Sequence, residues 1–190
     1  LKKLFSRESS APVPLTDIHR LEFSKRSQTI LVLDSQGKVL RKYPATYGKK
    51  EGDRRIEGDN TTPEGAFRIV HVEIPLNRHA APKIRFDTVQ KQLETYKQQH
   101  GQKATAALEA YRKQYGRIPA SDREVQDKFN PFASRKKFPH MWSGILAHSF
   151  DVTRRTSGCV GMQHKHLWEV GPALAEMIRH GKELSIHITP

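Results

Sequence analysis

The chain is poor in cysteine: Cys159 is alone among 190 residues, so no internal disulfide braces the fold. Outside the reducing cytosol a single thiol is an odd one left over, which makes it a residue to explain. Long apolar runs are also missing. The longest, such as "TILVLD", are strand-sized and far from the roughly 18 residues that span a bilayer, so an integral membrane protein is not expected. No signal peptide is visible after Leu1, and export is not read directly from the chain. Zinc-finger spacing, an RNP motif and a basic region with heptads are all lacking, and nucleic acid is not an expected partner. Acidic residues are in short supply, 20 Asp and Glu against 33 Lys and Arg, leaving a net charge of +13. Such a balance suits an anionic partner such as an acidic wall polymer, or simply solubility, since much of the excess is scattered ("KQLETYKQQHGQK", "ASRKKF").

What is present suits one globular domain with a core. The hydrophobic fraction of 36% argues against wholesale disorder. Residues 1–20 read as an N-terminal arm or linker, with Pro12, Pro14 and the tandem Ser9 and Ser10 at its heart, and 21–190 as the domain. Ile30 to Leu33 form a strand-like apolar run. "DSQG" is a hairpin turn, and Val39, Leu40 and Tyr43 begin the return strand. A Gly- and Asp-rich loop follows and leads into a strand at "GAFRIVHVEI". From about 75 to 139 the character becomes helical. Val89, Leu93 and Tyr96, then Ala107, Leu108, Tyr111 and Tyr115, recur at helical spacing, with Gly101 and Gly116 at the helix ends. Ser121 offers an N-cap for a third short helix. The chain returns to strand at "SGILAHS", to a helix at about 165–180 with Leu167, Val170 and Leu174 on one stripe, and to a final strand at "ELSIHI". The expected class is mainly β with a C-terminal helix and a helical insertion, α+β overall.

Cys159 invites two readings. A small buried hydrophobe is one. The other is a nucleophile, with His148 eleven positions earlier at the end of the apolar run "GILA", where a base would be rigidly held. On the second reading Gly158 leaves room for a substrate carbonyl beside the Cys159 N–H. His164 and His166 form an i, i+2 pair without acidic or further His neighbours in sequence, so no metal site is expected. Asp53, Glu57 and Asp59 suit Asx-turns in a solvated loop better than a cation site. Trp142 and Trp168 read as core residues. Trp142 is also placed to line a groove before the histidine strand.

"GDNTTPEGAFRI", then "HS" and "TSGCVGM", resemble the L,D-transpeptidase (YkuD-type) catalytic domain. Thr62, Pro63, Gly65 and Phe67 match its Thr-Pro-x-Gly-x-aromatic segment, His148 and Ser149 its histidine segment, and Thr156, Gly158, Cys159 and Val160 its cysteine segment. The resemblance implies a β-sandwich-like domain and, with no metal or organic cofactor, a cysteine enzyme of the periplasm or cell envelope that acts on peptidoglycan stem peptides. Cys159 would be the nucleophile and His148 the base, oriented by the Ser149 carbonyl. Thr156, Ser157, Gly158, Arg155 and Trp142 would form the oxyanion and substrate surroundings. An amine acceptor gives cross-linking or protein anchoring. Water gives carboxypeptidase or endopeptidase activity, or release of a wall-anchored protein. A non-catalytic wall- or partner-binding module is the remaining alternative. Three features depart from the pattern. The Arg usual two residues after the Cys is Gly161, leaving Arg154 or Arg155 to supply a cation. The His148–Cys159 segment is short. The 75–139 insertion is long enough to be a lid, a partner-binding element or decoration.

Overall fold

Alternating apolar residues set the architecture. In β1 (Arg20–Ser24), Leu21 and Phe23 are fully buried; in β2 (Thr29–Leu33), Ile30 and Val32 are; in β8 (Leu184–Thr189), Leu184, Ile186 and Ile188 point inward. A period of two puts every second side chain on one face, so each of these strands offers one apolar face to a shared interior. The computed structural model describes residues 15–54, 59–119 and 145–190. The remaining strands are β3 (Val39–Thr46), β4 (Gly65–Glu73), β5 (Lys83–Phe86), β6 (Leu146–Ser149) and β7 (Val160–Met162). They close in the order β1-β2-β3-β7-β6-β5-β4-β8. The β-sandwich-like arrangement implied by the sequence is therefore one continuous sheet wrapped on itself, which leaves no open edge. The chain is mostly β with three helices among the described residues, α+β overall.

Two local features shape the sheet. The β2–β3 hairpin turns on Asp34, whose carboxylate accepts the Gln36 and Lys38 backbone N–H groups, with Gly37 at positive φ. In β4 the register slips between Ile69 and His71. That bulge re-phases the strand, so Phe67 and Ile69 and then Val72 all reach the core.

Helix α1 (Val89–His100) and helix α2 (Gln102–Tyr115) follow β5, separated by Gly101 and ended by Gly116 in the left-handed region. They bury Val89, Leu93, Leu108 and Tyr111 against one another as a small core apart from the barrel's. Helix α3 (His164–Arg179) lays Leu167, Val170, Leu174 and Met177 into the barrel core and packs on β4, β5 and β6. Its Gly171 faces Pro82, whose Cβ would lie 2.8 Å from an added Cβ. Leu174→Ala removes a fully buried side chain from this seam and is expected to cost about 2–5 kcal/mol, read as a lower midpoint in urea unfolding with an unchanged slope.

The domain boundaries expected from the sequence shift. The sequence suggests an arm over 1–20, whereas Ile18 is fully buried and the His19 N–H bonds the Leu33 carbonyl, so packing begins before Leu21. It suggests an insertion from about 75, whereas β5 lies inside that span as a barrel strand. A four-residue strand carries too few alternations to be seen by periodicity. The third short helix and Trp142 lie outside the described residues.

Candidate active site

β6 and β7 run parallel, pairing Ala147 with Val160 and His148 with Gly161. Ala147 and Val160 are fully buried, so alternation turns His148 to the opposite face. Cys159 sits one residue before β7, partly buried. The thiol and the imidazole thus come from neighbouring strand ends of a closed sheet, although no local periodicity links them.

His148 Nδ1 lies 2.9 Å from the Ser149 carbonyl oxygen. A carbonyl only accepts, so Nδ1 carries the proton in that bond and Nε2 is left as the acceptor. The imidazole stands edge-on to Phe150, with ring centroids 5.9 Å apart. Hydrogen bonding to the Cys159 thiol holds the imidazole above its ordinary pKa, against an opposing effect of burial. Burial would raise the thiol, but the His148 hydrogen bond, a backbone hydrogen bond with Leu146 and the positive charges of His148 and Arg54 outweigh it and hold the thiol below its ordinary value. The two shifts have opposite signs and favour the same species, a thiolate beside an imidazolium.

The turn into Cys159 is built by Thr156. Its hydroxyl donates to the Cys159 carbonyl at 2.5 Å and accepts the Gly158 N–H at 3.1 Å. Its backbone is clamped as well: the Thr156 N–H bonds the Tyr47 carbonyl, and the Lys49 N–H bonds the Thr156 carbonyl. The neighbouring Gly48 N–H goes to the hydroxyl of fully buried Thr62. The Thr62–Pro63 segment therefore supports the cysteine turn through Gly48, although the two are far apart in sequence. Removing the Thr156 hydroxyl (Thr156→Val) is expected to slow iodoacetamide alkylation of Cys159 about tenfold, while Thr156→Ser retains most of the rate.

The expected site residues fall out unevenly. His148, Ser149, Thr156, Gly158 and Cys159 converge. Ser157 is exposed on the same turn. Trp142 lies outside the described residues. Arg155 lays its guanidinium on the Tyr47 ring, 3.7 Å from the centroid, and its buried Nη1 has no hydrogen-bond partner among the described residues. Arg154 is exposed. The side-chain space at Gly158, expected to admit a substrate carbonyl, is filled: an added Cβ would lie 2.4 Å from Arg54 Nη1 and 2.8 Å from the Thr61 carbonyl oxygen. The position of the usual arginine, Gly161, is also closed, by Thr46 Cγ2 at 2.6 Å and Phe150 Cβ at 2.8 Å.

Arg54 is the neighbour that residue-by-residue reading missed. It lies in the "GDRR" loop, whose composition suggests only a solvated turn, yet the side chain is 4% exposed. Of the acids of that loop, Asp53 and Asp59 serve turns and ion pairs, and Glu57 lies outside the described residues. Asp53 accepts the Arg54 and Glu64 N–H groups and pairs with Lys91, and Asp59 accepts both the N–H and the hydroxyl of Thr61. His164 bonds the Arg78 carbonyl and His166 stacks on Tyr43, so that pair is divided between different partners. No group of three or more His, Cys, Asp or Glu side chains that could hold a metal occurs among the described residues, and no helix among them is long and apolar enough to cross a membrane.

The chain is similar to several solved structures, three of which follow, each at low identity. The helical cell shape determining protein Pgp2 (K307A mutant) from Campylobacter jejuni is 16% identical with a TM-score of 0.46, over 91% of this chain and 47% of that one. The L,D-transpeptidase from Xylanimonas cellulosilytica is 12% identical with a TM-score of 0.46, over 92% and 61%. Mycobacterium tuberculosis L,D-transpeptidase 1 is 16% identical with a TM-score of 0.41, over 92% and 62%. The chain thus spans less than two thirds of each of these proteins. No curated protein matches it. The assignment rests on the family model of the YkuD L,D-transpeptidase catalytic domain, which matches residues 18–181 and so takes in β1 to β7, all three motif segments and α3, with β8 beyond the match. By that match, the chain belongs to the YkuD family of L,D-transpeptidase catalytic domains.

Proposed function

We propose that the protein is a cysteine acyltransferase of the cell envelope, acting on peptidoglycan stem peptides. Family membership supports a peptidoglycan-directed function, and the thiol–imidazole pair on β6 and β7 is the observation that carries the chemistry. Cys159 thiolate attacks the carbonyl that joins the L-configured centre of a diamino acid to the following D-residue. The tetrahedral intermediate collapses to a thioester, and the departing amine takes its proton from the His148 imidazolium. An acceptor amine or a water then gives its proton to His148 and attacks the thioester, releasing product and regenerating the thiol. Ser149 acts through its carbonyl, which fixes the tautomer that leaves Nε2 toward the sulfur. The Gly158 N–H is already committed to the Thr156 hydroxyl, which leaves the Cys159 N–H as the donor for the developing oxyanion on this turn. The net charge of +13 suits a carboxylate-bearing wall polymer.

The pH dependence follows from the two shifts. The thiolate forms as pH rises through the depressed Cys159 value. Protonation of the leaving amine fails as pH rises through the elevated His148 value. The kcat/KM profile is therefore expected to be bell-shaped, with its acid limb below the ordinary thiol value of about 8.5 and its base limb above the ordinary imidazole value of about 6.5. These limbs belong to the pair and not to either residue alone.

Mass spectrometry of muropeptides after incubation with the purified protein tests the reading. New dimers linked between two diamino acids mean transfer. Loss of the terminal D-alanine without new dimers means carboxypeptidase action, and disappearance of existing dimers means endopeptidase action or release of a wall-anchored partner. No change in any muropeptide, with the Cys159→Ala protein as reference, overturns the catalytic reading in favour of a wall-binding module.

A further inference from the structure

The guanidinium of Arg54 crosses from the 48–64 loop to lie on the backbone of Gly158, the residue that precedes the nucleophile. It is buried, its Nη1 donates to the Thr61 carbonyl at 3.0 Å, and it stands 3.6 Å from Asp59 Oδ1. The contact is close enough that a Cβ at Gly158 would meet Nη1 at 2.4 Å and Cζ at 3.4 Å. Gly158 has φ +129, a conformation that favours glycine, and the guanidinium occupies the space that a side chain there would need. A cation cannot arrive from Gly161, where Thr46 and Phe150 close the space. Arg155 is engaged with the Tyr47 ring. Arg54 is held from its own side by Asp53, which accepts the Arg54 N–H and pairs with Lys91 of α1, so the helical insertion is tied to the loop that delivers the charge.

We infer that Arg54 is a positioning residue for the acyl-transfer reaction: its guanidinium braces the Gly158–Cys159 turn and lends that turn the fixed positive charge that favours a thiolate at Cys159. The inference rests on the nucleophilic reading of Cys159. It gives the loop a role that a solvated turn does not have, and it gives the insertion a route by which an event on α1 reaches the nucleophile through Lys91 and Asp53. The guanidinium forms no bond to substrate in this account and does not exchange a proton, since arginine stays charged across the working pH range.

The pH dependence of iodoacetamide alkylation, followed by intact mass on the full chain, separates the charge from the brace. Arg54→Gln keeps a donor for the Thr61 carbonyl and removes the charge. Its alkylation midpoint is expected to rise by about half to one pH unit, with alkylation at pH 7 slowed about three- to tenfold. Arg54→Lys retains the charge, and its midpoint is expected to stay within about 0.3 units of wild type. A folded Gln variant with an unshifted midpoint overturns the inference, because a purely structural brace would alter melting temperature and not thiol titration. Should the Gln variant fail to fold, Arg54→Met, which keeps the apolar stem and removes the charge, is read in the same way: a rise of about half a unit supports the role, and an unshifted midpoint overturns it. The wild-type midpoint tests the nucleophilic reading separately. If it lies at or above that of a model thiol, that reading falls. If it lies well below while Arg54→Gln leaves it in place, only the role of Arg54 falls.

Discussion

His148→Ala is expected to slow formation of the Cys159 acyl-enzyme by about 10²–10⁴-fold while the melting temperature moves little. The imidazole sits at the open end of β6, bonded to its neighbour's carbonyl and edge-on to Phe150, so its removal takes little from the core. The thiolate, by contrast, loses its largest stabilising influence. Burial, which alone raises a thiol's pKa, then has only the Leu146 backbone and the Arg54 charge against it. The alkylation midpoint of the variant is therefore expected to move upward from the wild-type position, toward or above that of a model thiol. Rapid-quench acylation with a reactive β-lactam measures the rate, and alkylation against pH measures the midpoint. A variant that acylates at the wild-type rate would mean that another group takes the thiol proton.

Gly158→Ala should be nearly as damaging, by a different route. The added methyl meets Arg54 Nη1 and the Thr61 carbonyl at distances no real contact adopts, on a backbone at φ +129 that alanine rarely takes. The chain has to open the turn or push the 59–62 segment away. Overpacking of this kind costs about 1–3 kcal/mol of stability. Displacing the nucleophile by about an ångström costs about 10²-fold in rate. Gly37→Ala, at a left-handed glycine of the β2–β3 turn with open space around it, is the control and is expected to leave the acylation rate unchanged. Equal effects at the two positions would mean that the glycine is not required for the approach of Arg54.

The sequence made some of this architecture legible and hid the rest for identifiable reasons. The closing strand β8 and the stripe on α3 were readable because burial repeats at a period the residues display, and β2 because its apolar run is strand-sized. Gly101 and Gly116 marked the ends of α1 and α2 because a helix end asks for a conformation glycine accepts. β5 and β7 were invisible: four and three residues cannot show a period, and only closure of the sheet makes them strands. At the site, motif order singles out Cys159, His148 and the threonine of the turn as candidates. The tie between Thr62, Gly48 and Thr156, and the arrival of Arg54 at Gly158, are contacts between distant segments. No local pattern encodes them, and the acidic, glycine-rich surroundings of Arg54 pointed toward solvent. A glycine before the cysteine suggests room for a substrate carbonyl, and its Cβ position is taken by Arg54 and Thr61 from within the fold. Small residues beside a nucleophile serve the protein's own packing as readily as the ligand's.

The most direct test of an activated sulfur at the end of this barrel is the intact mass of the protein after brief exposure to a carbapenem at neutral pH. The account predicts a single covalent addition per chain, mapped by peptide digestion to the segment carrying Cys159, slowed strongly in His148→Ala and absent in Cys159→Ala. An unmodified wild-type mass, or an adduct that persists when Cys159 is replaced, would contradict it.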